Sequence, residues 1–317
     1  MISDIFTRVF KNGDEKQRRF DSSKGGNGLI VIDDLVVRYG DFTAVDGISL
    51  SIPCHGIYGF LGPNGAGKTT TIRTLTTLLK PSSGSITIDG LDVIKDTNEI
   101  RKRIGIVQQY ISLDKEISVR ENIVCHAILH KVPRKEIDIR MRELSSILGL
   151  DRYLDKLILD LSGGWRRRAA IACALMHRPS ILFLDEPTAG LDTQSRHILW
   201  DIVRDLKRSG TMVFLTTHYM DEAEALCDRI AIIDSGRVIA EGSPTELNNL
   251  VGKVAVDYEC DGKMMTQTFA SRDMAHSFIE SNLTNESSYS VRRTTLEDVF
   301  LELTGGSIGG DNDVRND

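Results

Sequence analysis

At 317 residues with 41% hydrophobic side chains, the chain is long enough to bury one substantial core and one small appended unit. A net charge of -6 gives no bulk attraction for nucleic acid, and no apolar run approaches the roughly 20 residues that cross a bilayer, so any pore is expected on another polypeptide. The five cysteines, Cys54, Cys125, Cys173, Cys227 and Cys260, lack paired metal spacing, as expected of reduced thiols in cytosol.

Residues 1–28 carry Ile2, Ile5, Phe6, Val9 and Phe10 at helical spacing, then Lys16, Arg18 and Arg19, then Gly25-Gly26-Asn27-Gly28, with no secretory core or cleavage site. Two readings stand: a short amphipathic helix on headgroups or a membrane protein, and a tail that packs locally or stays disordered, since so short a helix is marginal alone. Alternating segments at 29–38, 48–52 and 85–89 predict an antiparallel β lobe. Tyr39 ends the first of them before a Gly40-Asp41 turn, where its ring either stacks on a base or is simply half-buried.

The run at 56–61 is short, apolar and bounded by glycine, which predicts a buried strand ending at Gly62. There follows Gly62-Pro63-Asn64-Gly65-Ala66-Gly67-Lys68-Thr69-Thr70, and then helical spacing at Ile72, Leu75, Leu78 and Leu79. A glycine loop between a strand and a helix N-terminus points backbone N–H groups at an anion, and the helix dipole favours negative charge there. Lys68 is placed to reach β- and γ-phosphates, and the Thr69 hydroxyl to ligate Mg2+.

A strand at 104–107 precedes Gln108 and Gln109, either of which is loop polarity or a contact to Mg2+ or water. From 111 to 161 the pattern turns helical, most clearly at 119–130 and 135–148. Leu161-Ser162-Gly163-Gly164 then presents a second glycine-rich phosphate contact, for which one nucleotide has no use. The apolar run 181–184 ends in Asp185-Glu186. With a phosphate loop in the same chain, Asp185 suits Mg2+ and Glu186 suits the water that attacks phosphorus; alone, such a pair solvates a turn. His218 follows a strand at 211–217, facing a phosphate or merely capping the strand.

After 249 the pattern gives strands at 253–260 and 264–270, a helix at 273–281 and a strand at 289–293. A last helix is capped by Thr294 or Thr295, shows Leu296, Val299, Phe300 and Leu303 on one face, and stops at Gly305-Gly306.

Tyr39, the Gly62 to Thr69 loop, Gln109, Leu161 to Gly164, Leu184-Asp185-Glu186, Ala189-Gly190-Leu191-Asp192 and His218 together resemble the nucleotide-binding subunit of an ATP-binding cassette (ABC) transporter over residues 29–245. The resemblance implies an α/β P-loop NTPase core with an antiparallel β lobe and an α-helical lobe at 111–175, all within 29–248. It leaves a small α/β accessory domain at 249–306 and a disordered tail at 307–317. It further implies ATP and Mg2+, Gln109 as the switch-loop glutamine beside the ion, and Lys68, Glu186 and His218 as catalytic groups. Ser162, Gly163 and Gly164 would act on a partner's nucleotide, with Asp192 at the seam of a homodimer or of a pair with a second cassette. A separate integral-membrane permease, a peripheral position on the cytoplasmic face and no nucleic-acid partner complete the expectation.

Phe60-Leu61, Val119-Arg120-Glu121-Asn122 and Thr295-Leu296-Glu297-Asp298-Val299-Phe300 resemble the exporter branch of daunorubicin-resistance type, implying export of a drug-like, lipid or polymer substrate. Trp165 departs from the family's usual glutamine, so the phosphate contact is expected to survive while local packing or an adenosine contact differs. Arg166 to Arg168 are expected on a solvated face, the alternatives being a partner's nucleotide or an acidic surface. The rival reading is a soluble single-cassette ABC ATPase acting in macromolecular assembly; a P-loop kinase or GTPase leaves Leu161 to Gly164 unexplained.

Overall fold

Continuous apolar runs, rather than alternating ones, mark strands covered on both faces. Every residue of β3 (Ile57–Leu61), β7 (Ile181–Asp185) and β8 (Met212–Thr217) is accordingly buried. The computed structural model describes residues 29–260, 263–283 and 288–304. The expectations for 1–28, for the Gly305-Gly306 stop and for the tail at 307–317 lie outside the described residues.

The three strands belong to a six-stranded sheet ordered β10-β9-β3-β8-β7-β6, where β6 is Ile104–Val107, β9 Arg229–Asp234 and β10 Arg237–Gly242. All neighbours run parallel except the antiparallel β9–β10 pair. Alternation splits each strand between two cores. Ile57, Leu61, Leu182, Leu184, Val213 and Leu215 face the larger cluster, while Tyr58, Phe60, Ile181, Phe183, Met212 and Phe214 face the other. Phe214 lies 5.4 to 5.9 Å from the rings of Phe183, Tyr58 and Phe60, each ring contributing about 1.5–3 kcal/mol by burial. Because the strands are parallel, β3, β6, β7 and β8 all deliver their C-terminal residues to one edge, where an open α/β sheet binds its ligand.

The second core is closed by an antiparallel sheet ordered β2-β1-β4-β5, made of β1 (Leu29–Tyr39), β2 (Phe42–Pro53), β4 (Ser83–Ile88) and the short β5 (Leu91–Asp92). Helix α1 (Lys68–Leu75) leaves the phosphate loop, and α2 (Thr97–Arg103) precedes β6. The spacing through Leu79 overstates α1. The hydroxyls of Thr74 and Thr76 bond back to the carbonyls of Thr70 and Ile72 at 2.9 and 2.7 Å, Thr77 turns left-handed at φ 65, and Leu78 is 48% exposed.

The larger core carries a helical layer of α3 (Val119–Leu129), α4 (Arg134–Leu148) and α5 (Gly163–Leu175). Helix α3 begins where it does because Ser118 and Glu121 form a reciprocal capping box, and α4 ends on left-handed Gly149. Helices α6 (Thr193–Arg208), α7 (Met220–Leu226) and α8 (Pro244–Val251) complete this part.

Beyond it, β11 (Val254–Cys260), β12 (Lys263–Phe269) and β13 (Tyr289–Arg293) form a sheet ordered β12-β11-β13. With α9 (Arg272–Asn282) this sheet encloses a small core of Val254, Val256, Phe269, Ala275 and Ile279. The last helix, α10 (Leu296–Thr304), puts Leu296, Val299 and Phe300 into the large core instead, while Leu303 is 40% exposed. Thr295 stands at the cap position, its carbonyl accepting from Val299 N at 3.2 Å. The Thr294 hydroxyl bonds Gly252 O at 2.8 Å, and the amide and hydroxyl of Thr295 both donate to Asp298 Oδ2, at 2.8 and 3.1 Å.

Candidate active site

The loop between β3 and α1 has a backbone that excludes side chains. A Cβ at Gly62 would stand 2.2 Å from Ile233 O and one at Gly67 2.5 Å from Ala44 O, while Gly65 and Gly67 have φ of 83 and 102. Lys68 is 4% exposed and curls back, donating to Gly62 O at 2.8 Å and Pro63 O at 2.9 Å. Its ammonium is also 3.3 Å from Glu186 Oε1, and burial holds its proton affinity below that of an ordinary lysine despite that carboxylate.

The carboxylates come from the end of β7. Asp185 accepts from Thr216 Oγ1 at 2.6 Å and Thr69 Oγ1 at 3.3 Å; burial raises its pKa, and these two bonds oppose the rise. Glu186 adopts a left-handed φ of 45, sparsely populated for a non-glycine residue and worth roughly 1–3 kcal/mol of strain. That turn lets its amide donate to both Thr216 O (3.1 Å) and Thr216 Oγ1 (3.0 Å). The Glu186 side chain then gathers the other groups: Gln109 Nε2 donates to Oε2 at 2.9 Å, and His218 Nδ1 lies 3.3 Å from the same oxygen. Lys68, Thr69, Gln109, Asp185, Glu186 and His218 thus form one cluster drawn from four strand ends.

A cleft of about 400 Å3 opens beside it, lined by Tyr39, Asn64, Gly65, Gly67, Lys68, Thr69, Thr70, Gln109 and Glu186, and also by Phe42 and Ala44. Phe42 escaped the sequence reading. It pairs with Tyr39 across the hairpin and is 63% exposed against 47% for Tyr39, so the cleft has two aromatic walls. The signal was the aromatic residue directly after the Gly40-Asp41 turn. Thr216 was also missed, because a threonine inside a buried strand is ordinary until its hydroxyl is seen to bridge both acidic residues.

The donor set fits a polyphosphate with a hard divalent cation: an ammonium and free loop amides for anionic oxygens, and a hydroxyl and carboxylate for an oxygen-preferring ion.

Ser162, Gly163 and Gly164 lie elsewhere. Ser162 and Gly163 are exposed at the start of α5, the Ser162 side chain makes no capping bond, and none of the three lines the cleft among the described residues. Asp192 sits with them, not with Lys68. It caps α6, accepting from Ser195 N at 2.9 Å and Ser195 Oγ at 2.6 Å, and Ser195 is the residue a Cβ on Gly164 would meet at 2.8 Å.

Behind this element the expected solvated arginine face is corrected. Arg166 donates to Ile158 O and Leu159 O at 3.1 and 2.8 Å, and Arg167 is buried. Arg168 covers one face of Trp165 at 4.1 Å, and the Trp165 ring stacks on Tyr153 at 4.1 Å. Helix α5 opens against the rest of the helical layer, whose carbonyls and rings claim Arg166 and Arg168, and against the loop after β6, whose carbonyls claim Arg167. Trp165 is therefore packed inside its own chain.

With this geometry in hand, the comparisons are consistent. A family model described as ABC transporter matches residues 45–189. The daunorubicin resistance ATP-binding protein DrrA3 of Streptomyces coeruleorubidus is 38% identical over 303 residues, covering 87% of this chain and 96% of that protein. The Nod factor export ATP-binding protein I of Ralstonia nicotianae is 36% identical over 307 residues, covering 89% and 95%. Among solved structures, an ATP-binding cassette captured as a dimer after hydrolysis, with ADP and Pi, superposes with a TM-score of 0.62 at 26% identity over 68% of this chain and 98% of that one.

Proposed function

The chain belongs to the ABC transporter family as an ATP-binding, ATP-hydrolysing subunit that drives a membrane transporter, and from that premise we propose that it works as a nucleotide-closed dimer on a separate permease. The observation that carries the proposal is the separation of two glycine-rich elements, one built into a cleft and the other standing exposed outside it.

In this reading the amides of Asn64, Gly65, Gly67, Lys68 and Thr69 and the Lys68 ammonium take the phosphates. Lys68 exchanges its loop carbonyls for phosphate oxygens. Tyr39 and Phe42 hold the base, each stacked ring worth about 1–3 kcal/mol. Thr69, Asp185 and the Gln109 side-chain oxygen would hold Mg2+, which when bound neutralises phosphate charge. Glu186, gripped at its amide and approached by Gln109 and His218, accepts the proton of the attacking water. His218 adds a polar contact on the γ-phosphate side.

Ser162, Gly163 and Gly164 of each copy close over the nucleotide of the other. Asp192 holds Ser195 against Gly164 and so shapes the seam. Hydrolysis removes the γ-phosphate that the two chains share, and the seam opens.

The names of the relatives, resistance to daunorubicin and export of Nod factor, support export of a drug-like, lipid or polymer substrate. Residues 29–248 would be the cassette and 249–306 an accessory unit for docking or regulation, on the cytoplasmic face of the membrane. No helix among the described residues is long and apolar enough to cross a membrane, which suits a peripheral subunit. Affinity purification of the full chain from detergent-solubilised membranes tests the assignment. Recovery of a protein with about six apolar spans of roughly 20 residues each supports it. Recovery of soluble assemblies alone favours a single-cassette ATPase acting in macromolecular assembly.

A further inference from the structure

Arg167 is 3% exposed, yet among the described residues no carboxylate lies within 4.0 Å of its guanidinium. Nη1 donates to Gln108 O at 2.7 Å and Nη2 to Gln109 O at 3.0 Å, and Nε has no hydrogen-bond partner. Asp185 and Glu222 balance its charge only at longer range. Taking a guanidinium out of water for two neutral carbonyls is a poor way to fill space, because an apolar side chain would pack the same volume without the desolvation.

What the arrangement supplies is geometry. A planar fork spans two consecutive carbonyls, as a lysine's point charge does not, and so fixes the path of the backbone at Gln108 and Gln109. Arg167 lies four residues after Gly163 on α5, one turn away on the same face. On the far side of the loop, Gln109 Nε2 bonds Glu186 Oε2. An unbroken series therefore runs from Gly163 along a rigid helix to Arg167, through the Gln109 backbone to its amide, and on to Glu186.

We propose that Arg167 is a positioning residue that fastens the Gln109 loop to α5, so that the placement of Ser162 to Gly164 and the approach of Gln109 to Glu186 are set together. The proposal rests on the reading of Gln109 and Glu186 as parts of the hydrolytic site.

Its test is a double-mutant cycle on the full chain with Mg-ATP, using Arg167→Met, Gln109→Ala and the pair. Arg167→Met is expected to lower kcat about 10- to 100-fold, as misplacement of a reacting group does, with ATP affinity changed no more than about twofold. Arg167→Lys, which restores one donor, recovers part of the loss and keeps the measurement possible if the methionine variant folds poorly. If Arg167 acts through Gln109, the double variant turns over within about threefold of Gln109→Ala alone. Multiplicative losses, or wild-type kcat in Arg167→Met, overturn the proposal while leaving the site reading intact. Wild-type kcat in Gln109→Ala overturns the site reading itself, and the proposal with it.

Discussion

The two glycine-rich segments differ in what their own chain does with them. Gly62 to Thr69 is closed upon by its surroundings: backbone carbonyls of Ile233 and Ala44 stand where Cβ atoms would go, and Lys68 is tied to two carbonyls and a carboxylate. Ser162 to Gly164 is anchored from behind by Trp165, Arg166 and Arg167 and touched by Ser195 beside Gly164, while Ser162 and Gly163 are exposed and none of the three lines the cleft among the described residues. The difference teaches that one segment forms a cleft within a single copy and the other does not, which is what the proposed closure over a second copy's nucleotide requires.

The largest effect that tests this contrast lies on the side of the cleft. Glu186→Gln is expected to keep ATP binding and to lower turnover by on the order of 10²- to 10⁴-fold, the usual contribution of a general base. Unchanged steady-state hydrolysis removes Glu186 from that role.

Two glycine substitutions break the contrast if it is mistaken. Gly62→Ala must displace the Ile233 carbonyl and is expected to destabilise the fold by about 1–3 kcal/mol in denaturant titration. Gly163→Asp adds a side chain whose Cβ meets only Leu191 at 3.5 Å, at an exposed helix start where a negative charge is tolerated, so stability should move by less than about 0.5 kcal/mol. The same aspartate facing a partner's phosphates should lower turnover about 10²-fold, the loss seen when one anion-stabilising contact is removed. A Gly163→Asp protein with normal turnover contradicts the account.

Trp165→Ala comes next. Losing the Tyr153 stack and the Arg168 contact should lower stability by about 2 kcal/mol, measured as a shift of the unfolding midpoint at constant slope. A change below about 0.5 kcal/mol would mean the column does not anchor α5.

The smallest effect concerns the turn between α5 and β7. His177 precedes β7, donates Nε2–H to Ile104 O at 2.9 Å and stacks on His130 at 3.9 Å, and burial pushes its pKa down to about 4. The unfolded chain holds a proton on this ring below about pH 6.5 and the folded one does not, so stability falls as pH drops from 6.5 toward 4. Between pH 7 and 5 the wild type should lose about 1–2 kcal/mol more than His177→Asn. Equal losses would show that His177 is not held neutral.

The phosphate loop, the Asp185-Glu186 pair and the parallel strands were legible because each is written in a local pattern: glycine between an apolar run and a helix, acids at a strand end, uninterrupted apolar quartets. Thr216 and Arg167 were not, since their roles come from partners 31 and 58 residues away that only the sheet and the helical layer bring close, whereas Phe42 stands just across the turn from Tyr39 and what the sequence does not show is the cleft that both rings line. The end of α1 was misjudged for a related reason. Apolar spacing continues to Leu79, but the hydroxyls of Thr74 and Thr76 decide where the helix stops. Likewise α10 reads as part of the C-terminal unit, while Leu296, Val299 and Phe300 pack in the large core, a choice set by tertiary contact alone.

The central claim, a triphosphate pocket completed by a second copy, is tested most directly by sedimentation of the Glu186→Gln protein at saturating Mg-ATP. The account predicts a dimer that forms with ATP, is absent with ADP, and is lost when Gly163→Asp is added. A protein that stays monomeric at high concentration with no compatible second cassette available, or a dimer indifferent to Gly163→Asp, would contradict it.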